Sequence, residues 1–265
     1  MLEMFDYDFM QRAFVAGIFI AILASFSGTF IVLKRYSLMS ETLAHSALVG
    51  VAVGLVAGMN PLWSAVIVAI VSAWLIEYLR SYFSLYSDSI LAILLSGSLA
   101  IAVIIVSLGG AFNNSLFSYL FGSILSVSYD DLITIFVFGT VSLAVLVLFS
   151  RELYFIAYDE EVAKTSGIKV QLLNFLLVSV VAVIIALSIR VVGSLLIGAL
   201  MVIPTVSALQ YRVGFANTSL LAILFALLSV IFGMTLSFYF SLPSGATIVI
   251  CVLIIFIISL VTNKK

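Results

Sequence analysis

The chain has 265 residues, of which 65% are hydrophobic and only 9% are charged, and its formal net charge is -1. A soluble domain carries about 25% charged residues, so the composition excludes a water-soluble protein and indicates an integral membrane protein. The sequence shows no basic stripe of the kind that binds nucleic acid. One cysteine, Cys251, can form neither an internal disulfide nor a cysteine metal cluster.

Apolar runs long enough to cross a bilayer, about 20 residues each, recur along the whole chain. They are continuous and lack the alternation of barrel strands, so we predict an all-α, polytopic membrane helix bundle in a single transmembrane domain, 1–265. The predicted spans are 9–33, 39–58, 61–79, 90–108, 131–150, 172–192, 193–211, 217–240 and 245–262. Because 172–192 and 193–211 follow each other directly, the predicted number of transmembrane helices is eight or nine.

The basic residues give the predicted bundle an orientation. Most of them fall on one side of the membrane if the N-terminus is outside, and the positive-inside rule assigns that side to the cytoplasm. They are Lys34, Arg35, Arg80, Arg151, Lys164, Lys169, Arg212, Lys264 and Lys265. Arg190 lies at the other end and is interpreted as a snorkelling anchor. Glu77, Arg80 and Asp88 are interpreted as interfacial charges around a cytoplasmic turn.

The only histidine, His45, follows Glu41 by four residues at the start of the apolar span 39–58. Residues four apart in a helix share one face, and ionisable groups at membrane depth are costly and usually line a path or a site. Carboxylate oxygen and imidazole nitrogen are good ligands for zinc or manganese. Two ligands are too few for a complete site, but a second copy of the chain on a two-fold axis would supply two more.

The same pair has two other interpretations. It could be a hydrogen-bonded Glu–His pair that only holds two helices together, or a proton relay in a proton-coupled metal carrier that works without an ATPase. The spacing is compatible with all three. Beside the pair, small residues recur every four positions and predict a close helix contact, at the bundle centre or at a subunit interface. They are Thr42, Ser46, Gly50, Gly54 and Gly58.

Three further segments carry structural predictions. Residues 151–171 form an extended polar stretch on the cytoplasmic side, and 159–167 within it predict a short helix with acidic residues first and a glycine last. This loop either presents a helix to a soluble partner or is a solvated connector. Residues 109–130 predict a re-entrant or interfacial helix. Pro204 lies within a span and predicts a kink in a helix that could line a pathway.

Four segments resemble, in order, those of the ABC-3 family, the membrane subunits of bacterial zinc, manganese and iron ABC importers. They are LKRYSLMSETLAHSALVGVAVG at 33–54, YLFGSILSVSYDDL at 119–132, AYDEEVAKTSGIKVQLLN at 157–174 and VGSLLIGALMVIPTVSA at 192–208. The resemblance extends over essentially the whole chain. The segment around Glu41 is more similar to zinc-uptake members than to manganese ones.

The resemblance implies a permease subunit in the bacterial cytoplasmic membrane that imports Zn²⁺, or Mn²⁺ next, by alternating access and holds no permanent cofactor. It implies a second copy of this chain, an extracytoplasmic metal-binding protein and two ATPase subunits that hydrolyse ATP. Glu41 and His45 match the family's metal ligands. The ATPase subunits are expected to dock on the loop 151–171. Its coupling residues are expected to be Asp159, Glu160, Glu161, Val162, Ala163, Lys164, Thr165, Ser166 and Gly167.

Overall fold

The computed structural model describes residues 3–82, 87–108, 114–123 and 127–262. These residues contain helices and no strand. After a short 3-10 turn at Glu3–Asp6, the helices are α1 Asp8–Leu33, α2 Ser37–Val56, α3 Pro61–Tyr82, α4 Ser87–Leu108, α5 Asn114–Phe121, α6 Tyr129–Leu148, α7 Ser150–Tyr158, α8 Glu160–Thr165, α9 Val170–Val192, α10 Ile197–Leu209, α11 Phe215–Phe240 and α12 Ser244–Thr262. The predicted all-α bundle is confirmed.

Eight helices of the described part are long and apolar enough to cross a membrane, namely α1, α2, α3, α4, α6, α9, α11 and α12. The predicted span 193–211 is the exception, because its helix α10 has only 13 residues. Gly193 ends α9 with a φ of 91°, and α10 begins only at Ile197. The alternatives of eight or nine therefore resolve to eight long helices and one shorter apolar helix.

The centre of the bundle is formed by α1, α2 and α9, the three most buried of the long helices. Helices α3 and α4 pack on α2, while α11 packs on α1 and α12 packs on α11. The outer helices α4, α6 and α12 expose most of their surface, and this surface carries large apolar side chains such as Leu108 and Leu148. In water such a surface would aggregate, so it is the lipid-facing surface of a multi-pass membrane protein.

The small residues of α2 face other helices of the same chain. A Cβ atom on Gly50 would lie 2.4 Å from the carbonyl oxygen of Ser64, and one on Gly54 would lie 2.8 Å from Cα of Pro61, so α3 approaches at backbone distance. Gly58 does not belong to this face. Helix α2 ends at Val56, and Gly58 lies in the following turn, exposed, with a φ of 66°.

Towards α4, the polar residues among the small residues of α2 form hydrogen bonds instead of close backbone contacts. Thr42 Oγ1 donates to the carbonyl of Leu91 at 3.2 Å, and the hydroxyls of Ser46 and Ser98 are 3.0 Å apart. These bonds satisfy polar groups that lipid could not solvate. This face therefore lies at the centre of one chain's bundle.

Two polar seams mark the two ends of the bundle. At one end, which we call the basic face, Lys34 bonds to Asn174 and Arg80 approaches Glu160. At the opposite end, the Asp131 face, the Asp131–Arg190 pair joins α6 to α9. Arg12 also lies at the Asp131 face, because its guanidinium sits 4.7 Å from the ring centroid of Tyr129. It is a second exception to the basic clustering. The expected Lys264 and Lys265 lie outside the described residues.

Local capping chemistry explains where two of the helices begin. The Ser128 hydroxyl accepts from Asp131 N–H, and the Asp131 carboxylate accepts from Ser128 N–H, which completes a capping box at the start of α6. At α8, Asp159 Oδ1 accepts from two backbone N–H groups, those of Glu161 and Val162, each at 3.0 Å. Gly167, with a φ of 84°, follows the end of α8. The short helix predicted within 159–167 is therefore present as α8.

Candidate functional site

Helix α2 carries the glutamate and histidine one turn apart, and the two side chains have different surroundings. Glu41 is exposed on the surface of the single chain, whereas His45 is only 5% exposed. The Nδ1 atom of His45 is buried and has no hydrogen-bond partner among the described residues. An imidazole nitrogen left unsatisfied in this way is costly, so it is expected to bind something that one chain alone does not contain.

Helix α10 packs beside this site on its opening turn. A Cβ atom on Gly198 would lie 3.3 Å from Ser40 Oγ and 3.6 Å from the backbone nitrogen of Glu41. The opening turn of α10 therefore packs closely on the Glu41 turn of α2. Further along, α10 contacts α1, where a Cβ atom on Gly28 would lie 2.1 Å from the carbonyl oxygen of Met201.

Pro204 is buried within α10, and the helix continues on both sides of it. Because proline has no N–H, the carbonyl of Leu200 loses its usual intrahelical partner. Pro204 thus removes one regular hydrogen bond from the helix that packs beside Glu41. A role of Pro204 in lining a pathway stays a prediction.

A carboxylate and an imidazole can bind a divalent metal, but one chain offers too few donors. Within the described residues, no group of three or more His, Cys, Asp or Glu side chains is placed to hold a metal ion. Glu41 and His45 are thus half of a four-donor set at most. The exposed position of Glu41 leaves its carboxylate accessible to a second surface.

A second polar cluster lies at the basic face. Glu77 is fully buried, and Arg80 binds it twice, with Nη2 to Oε1 at 2.7 Å and Nε to Oε2 at 3.1 Å. The prediction that Glu77 and Arg80 are merely interfacial charges is wrong for Glu77, because its carboxylate is enclosed by the bundle. Asp88, the third member of the predicted group, is exposed.

The guanidinium of Arg80 also contacts two other elements. Its Nη1 atom lies 3.6 Å from Oε2 of Glu160 on α8, and its Cζ lies 5.3 Å from the ring centroid of Tyr36, the residue before α2. Burial raises the pKa of the Tyr36 hydroxyl, while Arg80 acts in the opposite direction. Tyr36 therefore stays neutral beside the cation.

Lys34 completes the cluster from the end of α1. Its ammonium donates to Asn174 Oδ1 and lies 5.2 Å from the Tyr36 ring centroid. Burial lowers the pKa of Lys34 from 10.5 to about 8, and the nearby Glu160 opposes that shift. The α1–α2 connection is thus surrounded by charged groups from α3 and α8 and by the Asn174 amide from α9.

At the Asp131 face, Arg190 does not act as the snorkelling anchor predicted for it. Its Nη1 lies 2.9 Å from Asp131 Oδ2, and the two side chains are 19% and 6% exposed. The Tyr119 ring of α5 stands 5.3 Å from the guanidinium, and burial raises the pKa of the Tyr119 hydroxyl. This ion pair is enclosed because α5 covers it.

Backbone hydrogen bonds fix α5 against the link between α9 and α10. Ser194 N–H donates to the carbonyl of Tyr119 at 2.8 Å, and Ser123 N–H donates to the carbonyl of Arg190 at 3.2 Å. The predicted short helix within 109–130 exists as α5, although 109–113 and 124–126 lie outside the described residues.

Sequence reasoning missed the two enclosed ion pairs. One signal was available: Glu77 and Arg80 are three residues apart in an apolar span, a spacing that brings side chains together on a helix. No local pattern links Asp131 to Arg190, because the two residues meet only when α6 packs on α9.

The fold and the site together define a class: a polytopic helical membrane protein whose central helix carries a carboxylate and a buried imidazole. A model of the ABC 3 transport family matches residues 6–263, and the chain belongs to that family. The resemblance seen in four sequence segments is thereby confirmed.

Relatives and one solved structure match nearly the whole chain. The high-affinity zinc uptake system membrane protein ZnuB of Haemophilus influenzae is 30% identical over 98% of this chain and 99% of its own length. The manganese import system permease protein ScaB of Streptococcus parasanguinis is 31% identical over 98% of this chain and 92% of its own length. The structure of PsaBC from Streptococcus pneumoniae in complex with Fab gives a TM-score of 0.87 at 27% identity and covers 97% of this chain and 94% of the matched chain.

Proposed function

We propose that this chain is the membrane permease subunit of an ABC importer that carries a divalent transition metal into the cytoplasm. Zn²⁺ is the first candidate and Mn²⁺ the second, since relatives are named for each ion. The observation that carries the proposal is that Nδ1 of buried His45 has no hydrogen-bond partner in the described part of the chain and lies one helical turn from the exposed carboxylate of Glu41. Both groups are donors that suit these ions.

The proposal requires two copies of the chain around one ion route. Two donors from one copy and two from its twin would make a four-donor site of nitrogen and oxygen atoms. The exposure of Glu41 in the single chain supports this arrangement, because a carboxylate on a membrane-spanning helix is costly against lipid. The site must also release the ion, so its affinity is moderate.

The remaining parts of the proposal concern direction and energy. The basic face is assigned to the cytoplasm by the positive-inside rule, which places the N-terminus outside. ATPase subunits would dock there on the loop 151–171, with α8 as the element that transmits their movement. Alternating access then carries the ion from an extracytoplasmic metal-binding protein past Glu41 and His45.

The first test is uptake of radiolabelled Zn²⁺, and separately of Mn²⁺, by the complete transporter in proteoliposomes. His45→Ala is expected to lower uptake at least 100-fold while the complex still assembles. Ser46→Ala is the matched control, because it removes a polar group from the next position and leaves both donors. Normal uptake by His45→Ala would show that His45 is not a ligand of the transported ion. Uptake by this chain without ATPase subunits would instead support the proton-coupled carrier.

A second test addresses the shared site. Two copies joined in one polypeptide allow His45→Ala to be placed in one copy only. If both copies contribute donors to one ion, a single altered copy lowers uptake far more than twofold, because every ion then loses one of its four donors. If each copy has its own route, uptake falls by half.

A further inference from the structure

The geometry around Arg80 points to a function that goes beyond holding α3 in place. We propose that Arg80 is a positioning residue that couples α8 to the first turn of α2, and so to Glu41 and His45. The inference rests on the proposed function, because it concerns how movement of α8 reaches the ion site. It is carried by three contacts that one guanidinium makes with three different elements.

The contact with Glu77 is the fixed one. Glu77 is fully buried, and the guanidinium binds both of its carboxylate oxygens, at 2.7 and 3.1 Å. Removing one partner of such a pair leaves a charge inside the bundle, which is strongly unfavourable. The Arg80 side chain is therefore tied to α3 in every state in which the bundle stays folded.

The contact with Glu160 is the variable one. It is longer, at 3.6 Å, and the Glu160 side chain is 29% exposed. Glu160 also has a second partner on its own helix, Lys164, at 3.4 Å. A partly exposed ion pair of this kind is weak and can break and form again at small cost. Movement of α8 can therefore break the contact between Glu160 and Arg80 while Lys164, on the same helix, stays beside Glu160.

The surroundings of Glu160 leave space for that movement. Two clefts at the basic face share Glu160 as a lining residue, one of about 340 Å³ towards Arg80 and Asn174 and one of about 490 Å³ towards Lys34 and Tyr154. Helix α8 is packed against the rest of the bundle through Ala163, which is fully buried. The helix is thus anchored at one residue and open on both sides of another.

The third contact leads to the ion site. Tyr36 is the residue immediately before α2, and its ring lies under the guanidinium of Arg80, 5.3 Å from Cζ. Its carbonyl accepts from Met39 N–H at 2.8 Å within the first turn of α2. Glu41 follows in the same helix. When Glu160 releases Arg80, one edge of the guanidinium loses its partner while the group stays bound to Glu77, and this is expected to alter its contact with the Tyr36 ring and with it the start of α2.

The test uses the complete transporter in proteoliposomes, with radiolabelled Zn²⁺ as the first probe and Mn²⁺ as the second, and measures uptake and ATP hydrolysis in the same preparation. Glu160→Gln is expected to lower the ratio of metal ions transported to ATP hydrolysed about fivefold or more, with ATP hydrolysis within twofold of wild type. Asp88→Asn is the control, because it removes a carboxylate that is exposed in the first turn of α4, outside the loop 151–171, and it is expected to keep the wild-type ratio.

A second variant, Arg80→Lys, keeps the charge beside Glu77 but cannot reach two carboxylates with one planar group. It is expected to lower the same ratio. An unchanged ratio in Glu160→Gln, equal effects of Glu160→Gln and Asp88→Asn, or parallel loss of uptake and ATP hydrolysis would each overturn the positioning role. If the wild-type complex itself takes up neither ion with ATP, the proposed function fails instead.

Discussion

Arg190 of α9 and Asp131 of α6 form an ion pair 2.9 Å long at the end of the bundle opposite the basic face. The pair is enclosed by Tyr119, whose helix α5 is bonded through its backbone to the α9–α10 link. The consecutive helices α5 and α6 therefore meet the later helix α9 at one charge pair. Ser194 and Leu195, which precede α10, donate to carbonyls of α5, and α10 in turn packs beside Glu41.

The first prediction concerns the stability that depends on this pair. Asp131→Asn leaves the Arg190 charge without its carboxylate, and Arg190→Gln leaves the Asp131 charge without its cation, so each variant is expected to lose about 3–5 kcal/mol. The double variant is expected to lose clearly less than the sum, because it leaves no unpaired charge. Denaturant unfolding of the purified protein in detergent measures all three. Additive losses would mean that the two side chains do not stabilise each other.

The second prediction compares two glycines within helices. Gly28→Ala places a methyl group 2.1 Å from the carbonyl oxygen of Met201, so α1 and α10 must separate. Overpacking of a backbone contact is expected to cost about 3 kcal/mol. Gly97→Ala in α4 is the control, since nothing lies within 4 Å of its Cβ position, and alanine there is expected to be neutral or to stabilise by up to about 1 kcal/mol. Thermal unfolding of the two variants in detergent separates the cases.

The close packing of α2 could be predicted because helix periodicity is local. Gly50 and Gly54 are four residues apart, and both lie against α3 at backbone distance. The end of that face could not be predicted in the same way. Whether α2 continues to Gly58 depends on a backbone angle, and Gly58 has a φ of 66°, which the spacing of small residues does not reveal.

Two other features depend on contacts between distant parts of the chain. The apolar run across Gly193 reads as helix, but its neighbours Ser194 and Leu195 donate to carbonyls of α5 instead. The burial of Arg190 likewise depends on Tyr119 and Asp131. In both places the apolar pattern correctly predicts a segment within the membrane bundle. The residues that pair with Ser194, Leu195 and Arg190, however, lie more than fifty residues away in the sequence.

The third prediction is a pH dependence that arises from Lys34. Its pKa is lowered to about 8 in the folded protein, below the usual 10.5, so the unfolded chain binds more protons between these two values. Stability is therefore expected to rise with pH across that window, by about 3 kcal/mol in total. Below pH 8 both states are protonated and the contribution is constant.

Lys34→Met is expected to flatten this part of the stability profile, because the titrating group is gone. Lys164→Met is the control, since it removes an ammonium whose side chain is 60% exposed. Thermal midpoints of the wild type and both variants, measured in detergent from pH 7 to 10.5, give the comparison. A wild-type slope that survives in Lys34→Met would show that another group is responsible.

The last prediction tests the contact between α10 and the Glu41 turn, and it rests on the proposed function. A methyl group on Gly198 would lie 3.3 Å from the Ser40 hydroxyl, which can rotate away, so Gly198→Ala is expected to retain most of the metal uptake. Gly198→Leu adds three further carbons beside the backbone of Glu41, and overpacking of this size costs about 1–3 kcal/mol. Since α10 must then move away from α2, uptake is expected to fall at least tenfold while the protein stays folded.

Gly97→Leu adds the same side chain where nothing lies within 4 Å, so it should transport normally. Equal uptake by the two leucine variants would mean that α10 does not position Glu41.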